Sequence, residues 1–321
     1  MTITIALAGD AMLGRGVAAQ LATAGPDGLV SDQVREYLTA ADLAVLNLEC
    51  CISERGRPWE GAGKRFHFRA PPAAASALAG LGVSCVTLAN NHALDFGYAA
   101  LSDTCERLAE AGIAAAGAGA DLAQARAPAL VEAGGLRVAV VSVTDQAPGW
   151  AAGPGEPGVA FADFAGGIPH WLTGEVASLA GDADVVLVMP HWGPNLASSP
   201  LPYLRSAARA LVGAGATLVA GHSAHLFHGV SSRILFDLGD FIDDYPVDPA
   251  LRNDLSLLFL VTLDAVGPVR VEAVPLKLEY ARTGIATGAD RDWIRGRLSA
   301  ACTPFGTEVA DSDGRFVLTA A

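Results

Sequence analysis

Cysteine is scarce and poorly placed for cross-linking. The five cysteines (Cys50, Cys51, Cys85, Cys105 and Cys302) are odd in number, and no CxxC pair occurs. A disulfide framework and a cysteine-based structural zinc site are therefore not expected. Cys85 lies in an apolar run and reads as core filler, and Cys50 and Cys51, directly after Glu49, read as buried small residues. Long apolar runs are missing too. Ala183–Pro190 and Leu255–Leu263 have strand length, well short of the roughly 20 residues that cross a bilayer. Met1–Ala8 has no basic start and Asp10 interrupts the run, so no signal peptide or membrane anchor is read in this chain and a cytoplasmic location is expected. Basic residues are few: 21 Lys and Arg against 34 Asp and Glu leave a formal charge of −13. There is no basic cluster beyond Lys64, Arg65 and Arg69, so no nucleic-acid partner is expected. No repeat of solenoid length occurs.

What is present is an alternation of apolar strands and amphipathic helices in 321 residues of which 51% are apolar, enough for a sizeable core. Thr2–Ala8, Leu43–Leu48, Val83–Ala89, Leu136–Thr144, Val185–Met189, Ala216–Ala220 and Arg233–Leu238 read as strands. Helices are expected from Ser31 through Ala40, after Pro71 and Pro72, over Gly97–Ala111, around Ile168–Ala180 and over Leu204–Gly213. Leu257–Leu263 and Val269–Leu278 have no helix between them and read as a hairpin, followed by a helix over Asp290–Ala301 and a short strand at Phe316–Leu318. The pattern predicts an α/β fold with a mostly parallel sheet, in one domain spanning 1–321. Ala147–Gly167, rich in Gly and Pro, reads as a long loop and the best lid candidate.

The polar residues carry the functional signal. Strand after strand ends in a group able to bind a cation or anion: Asp10, then Asn47-Leu48-Glu49, then Asn90-Asn91-His92 with Asp95 beyond, then Asp145, His191, His222 with His225, and Asp240. Sites of open α/β sheets lie outside the carboxyl ends of the strands, so these residues are expected on one rim. Carboxylate, amide oxygen and imidazole together suit a borderline divalent ion such as Mn, Fe or Zn. Asp10, Glu49, Asn91, His191, His222 and His225 are too many for one open catalytic ion and suit two sharing a bridging group. Two such ions would outweigh the Asp10 and Glu49 carboxylates and attract an anion. Gly221 lets the Gly-His-Ser-Ala-His segment turn so that His222 and His225 can face one centre. His228 reads as a neighbour of the site or a surface residue.

Seven segments then carry a family resemblance: GDAMLGR (Gly9–Arg15), NLE (Asn47–Glu49), GKRFHFRAPP (Gly63–Pro72), ANNHALDFG (Ala89–Gly97), HWG (His191–Gly193), GHSAH (Gly221–His225) and LGDF (Leu238–Phe241). In this order they resemble the CapA family of poly-γ-glutamate or capsule biosynthesis proteins, itself similar to calcineurin-like metallophosphatases. The resemblance implies a metallophosphatase-like four-layer α/β/β/α sandwich with two packed mixed sheets, its core motifs within about 3–245 and the strands and helix of 255–321 completing it. It also implies metal ligation by Asp10, Glu49, Asn91, His191, His222 and His225. His92 would be the general acid, with Asp95 orienting its ring. Arg15, Lys64 and Arg69 would bind an anionic substrate. The chain departs from typical metallophosphatases in having Asp10-Ala11-Met12 for Asp-x-His, Asn47-Leu48-Glu49 for Gly-Asp, and histidines three apart at the last motif. Within the resembling family, LGNF is common where this chain has LGDF, so Asp240 adds a carboxylate. The expected function is a metal-dependent hydrolase acting through a metal-bound hydroxide on a small anionic or glutamyl-containing substrate, a phosphoester or γ-glutamyl-type amide. The alternatives are a non-catalytic assembly factor partnering a polymer or amide-forming synthetase, with a structural metal, and a binding protein for an acidic peptide or nucleotide.

Overall fold

The computed structural model describes residues 1–61 and 64–320; Gly63, the first residue of the GKRFHFRAPP segment, lies outside the described residues. The first strand, β1 (Ile3–Ala11), is buried along nearly its whole length, as a strand covered on both faces must be. Its side chains alternate. Ile5 and Leu7 point into one apolar cluster, and the smaller Ala6 and Ala8 point into another.

Two mixed sheets organise the molecule. The larger has ten strands. From β1 its parallel part runs through β2 (Leu43–Leu48), β5 (Cys85–Thr87) and β6 (Ala114–Ala116). From the other edge of β1 its antiparallel part runs through β16 (Leu255–Leu263), β17 (Pro268–Glu279), β20 (Arg315–Ala320) and β19 (Thr307–Ser312), with β18 (Arg282–Ile285) also on β17. The short β15 (Asp240–Ile242) lies parallel to β1 at its carboxyl end. The second sheet has six strands. Its parallel core is β9 (Leu136–Thr144), β11 (Val185–His191), β12 (Leu218–Ala220) and β14 (Ile234–Leu235), flanked by antiparallel β8 (Ala129–Ala133) and β13 (Val230–Ser231). Two small ladders pair β3 (Cys51–Ile52) with β4 (Arg69–Ala70), and β7 (Ala118–Gly119) with β10 (Gly158–Val159).

One apolar cluster lies between the sheets. It joins Ile5, Leu7, Val45 and Phe259 of the larger to Val138, Val140, Leu187 and Leu218 of the smaller. The outer face of the larger sheet is covered by α1 (Arg15–Ala24), α2 (Asp32–Ala40) and α3 (Ala73–Gly80) through Val17, Leu21, Val34, Leu38 and Leu78. α4 (Tyr98–Glu110) contributes Leu108 to the same cluster, and the short α5 (Leu122–Arg126) packs on β7. The outer face of the smaller sheet is covered by α6 (His170–Asp182) and α7 (Pro202–Gly213). α8 (Gly288–Cys302) adds Ile294, Leu298 and Cys302 to the cluster between the sheets. Among the described residues no helix is long and apolar enough to cross a membrane.

The chain is thus a mixed α/β protein, as expected, with a larger antiparallel share than the alternation suggests. Leu257–Leu263 and Val269–Leu278 do form the hairpin, as part of β16 and β17. Several elements differ from the sequence reading. β8 is a hairpin partner of β9 across Gly134-Gly135, whose φ angles of 53° and 80° suit the tight two-residue turn that Gly-Gly signals. The run Arg233–Leu238 keeps only Ile234–Leu235 as strand, because the chain leaves the sheet to set Asp240 beside Asp10. The 147–167 segment is anchored rather than free: Trp150, Val159 and Phe164 are buried and β10 pairs with β7.

Gly9 shows how tightly β1 meets the returning chain. A Cβ there would lie 1.8 Å from the Gly239 carbonyl oxygen, which accepts the Asp10 amide at 2.9 Å. We expect Gly9→Ala to lower the thermal midpoint by the equivalent of roughly 1–3 kcal/mol or more, the cost of overpacking. An unchanged melt would show that this contact yields freely.

Candidate metal centre

The carboxyl ends of the parallel strands of both sheets meet at one place. Asp10 is the next-to-last residue of β1, Glu49 follows β2, Asn91 lies on the loop after β5, His191 ends β11, and His222 and His225 follow β12. An isolated bridge pairs His191 with His222, and β1 pairs with β15 in the register Asp10↔Asp240. Asp10, Glu49, His191, His222 and Asp240 are all 2% exposed or less. Two groups of three offer ligand atoms within 4.8 Å of one another: Asp10, Glu49 and His191, and Asp10, His225 and Asp240. Asp10 belongs to both.

A polar scaffold holds Asp10. Its Oδ1 accepts from Asn47 Nδ2 at 2.7 Å and its Oδ2 from the Ser223 amide at 3.3 Å. Asn47 Oδ1 in turn accepts from Thr87 and Asn90, each at 3.1 Å. The GHSAH turn is strained: Ser223 and His225 have φ of 109° and 56°, conformations that side chains other than glycine's adopt at a cost and that concentrate at functional sites. At Gly221 a Cβ would meet the Phe236 carbonyl oxygen at 2.3 Å, so only glycine fits.

Several other donor atoms lack partners among the described residues. Glu49 Oε1, Asn91 Oδ1, Asp240 Oδ2 and both ring nitrogens of His191 and His222 are buried there without a hydrogen bond. His191 Nε2 lies 3.4 Å from Glu49 Oε1, and Tyr245 donates to Glu49 Oε2 at 3.3 Å. Buried carboxylates and imidazoles with unused lone pairs are costly unless a cation meets them, and this donor set fits a divalent ion. The titration behaviour has the same origin. Burial and the charge of Glu49 push Asp10 up to about 7. Burial also raises Asp237, Asp240 and Asp243. Burial together with His191 pulls His222 down to about 3. His225 is raised well above its ordinary value: burial opposes this, but the Asp240 and Glu49 charges prevail.

Beside this cluster stands a second constellation. His92 Nδ1 is 2.6 Å from Asp95 Oδ2 and 3.2 Å from Lys64 Nζ, and Lys64 reaches Asp95 Oδ1 at 2.6 Å. The Phe68 amide donates to Asp95 Oδ2 at 2.6 Å, while the Phe68 ring stacks on His92 with centroids 4.2 Å apart. Burial lowers the pKa of His92, against the pull of Asp95 and Glu49. Arg15 lies over Phe68 and Tyr245, at 5.2 and 5.7 Å, and pairs with Asp244. Arg69 is different: its guanidinium is stacked over Phe96 at 4.2 Å, and no recorded contact among the described residues joins it to the cluster. Trp150, from the 147–167 segment, covers Lys64 at 4.8 Å. His228 stands apart, bound to the Ala197 carbonyl at 2.8 Å.

The sequence pattern does not single out Tyr245 and assigns Asp240 no role; the one available signal is the acidic DFIDDYP run after a strand. Asn47, a lone amide inside the buried strand LAVLNL, was the signal for the scaffold around Asp10.

Residues 4–245, which include every residue of this cluster, match the family Bacterial capsule synthesis protein PGA_cap. The chain belongs to this family. The resemblance to CapA proteins carried by the seven segments is thus borne out. A probable polyglutamine synthesis accessory protein of Mycobacterium tuberculosis is 32% identical, over 96% of this chain and 93% of its own length. The PGA biosynthesis protein CapA of Bacillus subtilis is 27% identical, over 87% of this chain and 72% of its own. The capsule biosynthesis protein CapA of Bacillus anthracis is 28% identical, over 92% and 73%.

The metal-free protein should lose stability as pH rises. The Asp10 carboxyl titrates near 7 when folded against an ordinary 3.8, so between those values the unfolded chain has already released a proton that the folded one keeps. The raised Asp237, Asp240, Asp243 and His225 act in the same direction; the lowered His222, His92 and His228 oppose them as pH rises through the ordinary imidazole value, and the lowered Glu49 titrates below this range. Calorimetric melts in chelator should therefore fall from pH 5 to pH 8. Mn at a hundredfold excess over its Kd should restore about 2.7 kcal/mol at pH 8. Midpoints indifferent to both pH and metal would contradict the charge balance described.

Proposed function

We propose that this protein is a CapA-type, metal-dependent hydrolase of a phosphoester or γ-glutamyl-type amide, built on a metallophosphatase-like α/β/β/α sandwich. The observation that carries this reading is a buried cluster of unpaired carboxylate, amide and imidazole donors directly beside the His92–Asp95–Lys64 constellation. Asp10, Glu49, Asn91, His191, His222 and His225 are the proposed ligands. The divalent ions they would hold would supply positive charge able to polarise the scissile bond and acidify water.

The remaining steps belong to the chain. His92 is the proposed proton donor to the leaving oxygen or nitrogen. Asp95 accepts from its Nδ1, with Lys64 paired to the other Asp95 oxygen, which leaves Nε2 for the substrate, and Phe68 fixes the plane of the ring. Asp95 stabilises the imidazolium against burial. Lys64 and Arg15 offer cations to an anionic substrate group, although each already pairs with a carboxylate, Asp95 and Asp244 respectively. Arg69, the third cation of that set, has its guanidinium stacked on Phe96.

A second reading, a non-catalytic assembly factor for a polymer-forming synthetase, draws support from the name of the mycobacterial relative, an accessory protein. One assay separates the two. Mn-loaded protein, with its metal content measured, should hydrolyse at least one of a generic phosphodiester, a phosphomonoester and a γ-glutamyl amide. His92→Ala should lower kcat by about 10²–10⁴-fold and leave the metal content unchanged. Full metal occupancy without turnover on any of the three would favour the assembly role.

A further inference from the structure

Two buried histidines in this protein each face an aspartate, and the two pairs are built differently. Asp95 beside His92 has a cation against it: its Oδ1 makes an ion pair with the Lys64 ammonium, though no directed hydrogen bond, and its Oδ2 accepts from the Phe68 amide and meets His92. Asp240 beside His225 has no such cation. Its Oδ1 lies 2.7 Å from His225 Nδ1, and its Oδ2 is buried with no backbone, lysine or arginine donor among the described residues. The residue is 0% exposed, and no lysine or arginine ion pair reaches it among the described residues. A carboxylate that only orients a ring needs one oxygen. The other then needs a donor or a cation, because a bare buried charge is costly. The side chain of the neighbouring Asp243, another buried carboxylate, lies within hydrogen-bonding reach of Asp240, a contact that requires one of the two to keep a proton and that a cation would replace.

The backbone sets Asp240 against Asp10 deliberately. Gly239, at φ 77°, turns the chain so that β15 pairs with β1 in the register Asp10↔Asp240. His225 Nδ1 is then 3.6 Å from Asp10 Oδ2, and ligand atoms of all three residues lie within 4.8 Å of one another. We propose that Asp240 is a metal ligand. With Asp10 and His225 it forms a second cation position, next to the position bounded by Asp10, Glu49 and His191, and Asp10 is the residue shared by both. This rests on the reading of the cluster as a divalent-metal centre.

The test is where the ions sit and how many there are. Wild-type protein loaded with Mn should hold two ions per chain by elemental analysis. Anomalous diffraction should place one of them about 2.0–2.2 Å from an Asp240 oxygen. Asp240→Leu should hold one ion, retained at Asp10, Glu49 and His191. The near-isosteric Asp240→Asn should bind the second ion at least about tenfold more weakly, with circular dichroism confirming that both variants fold. Two ions retained in both variants, or an ion at His225 beyond reach of Asp240 while Asp240 and Asp243 share a proton, would overturn the proposal and leave the metal centre standing. Wild-type protein that takes up no Mn, Fe or Zn would remove the metal centre itself.

Discussion

Burying several carboxylates together, with no lysine or arginine ion pair to them among the described residues, is the constraint around which this molecule is arranged. Asp10, Glu49, Asp237, Asp240 and Asp243 are all withdrawn from water near the carboxyl end of β1. Their mutual repulsion and lost hydration oppose folding unless positive charge enters. Imidazoles supply part of it, and a bound divalent cation would supply the rest. The rigid surroundings follow from this. The Asn47–Thr87–Asn90 network, the strained GHSAH turn and the glycine contact between β1 and Gly239 all hold donors in place that would otherwise turn away from one another.

The two-sheet architecture makes the convergence possible. The larger sheet delivers Asp10, Glu49, the Asn91–His92 loop and Asp240. The smaller delivers His191, His222 and His225. The apolar cluster between the sheets brings their strand ends into register, so packing energy spread over many Ile, Leu and Val side chains is what positions a few costly polar ones. The membership in the capsule synthesis family fits this division, since the matched region 4–245 contains every strand end that contributes to the cluster.

His92 and its partners sit at the boundary between this interior and solvent. Lys64 is compensated three ways, by Asp95, by the Asn91 carbonyl and by the face of Trp150. The 147–167 segment therefore contributes a wall to the constellation rather than a free flap. Arg69, grouped with Lys64 by proximity in the GKRFHFRAPP segment, went elsewhere, because β4 turns its side chain toward Phe96.

Much of this was legible in the order of residues. Apolar runs ending in Asp10, Glu49, Asn91, His191 and His222 could be placed at strand ends, because parallel strands buried on both faces are continuous in sequence and their ends are chemically distinct. The β16–β17 hairpin and the capped helix from Ser31 were local and therefore readable. The Gly134-Gly135 hairpin was equally local, and its signal went unused. What required the tertiary structure was every relation between distant segments: that Asp10 is shared between two donor groups, that Asp240 lies in register beside it, that Tyr245 reaches Glu49, and that Arg69 is taken by Phe96. Periodicity and turn chemistry act over a few residues, so the sequence by itself determined which groups stand at strand ends. Which of them meet depended on how two sheets pack and on a single backbone turn at Gly239, and those are properties of the whole chain.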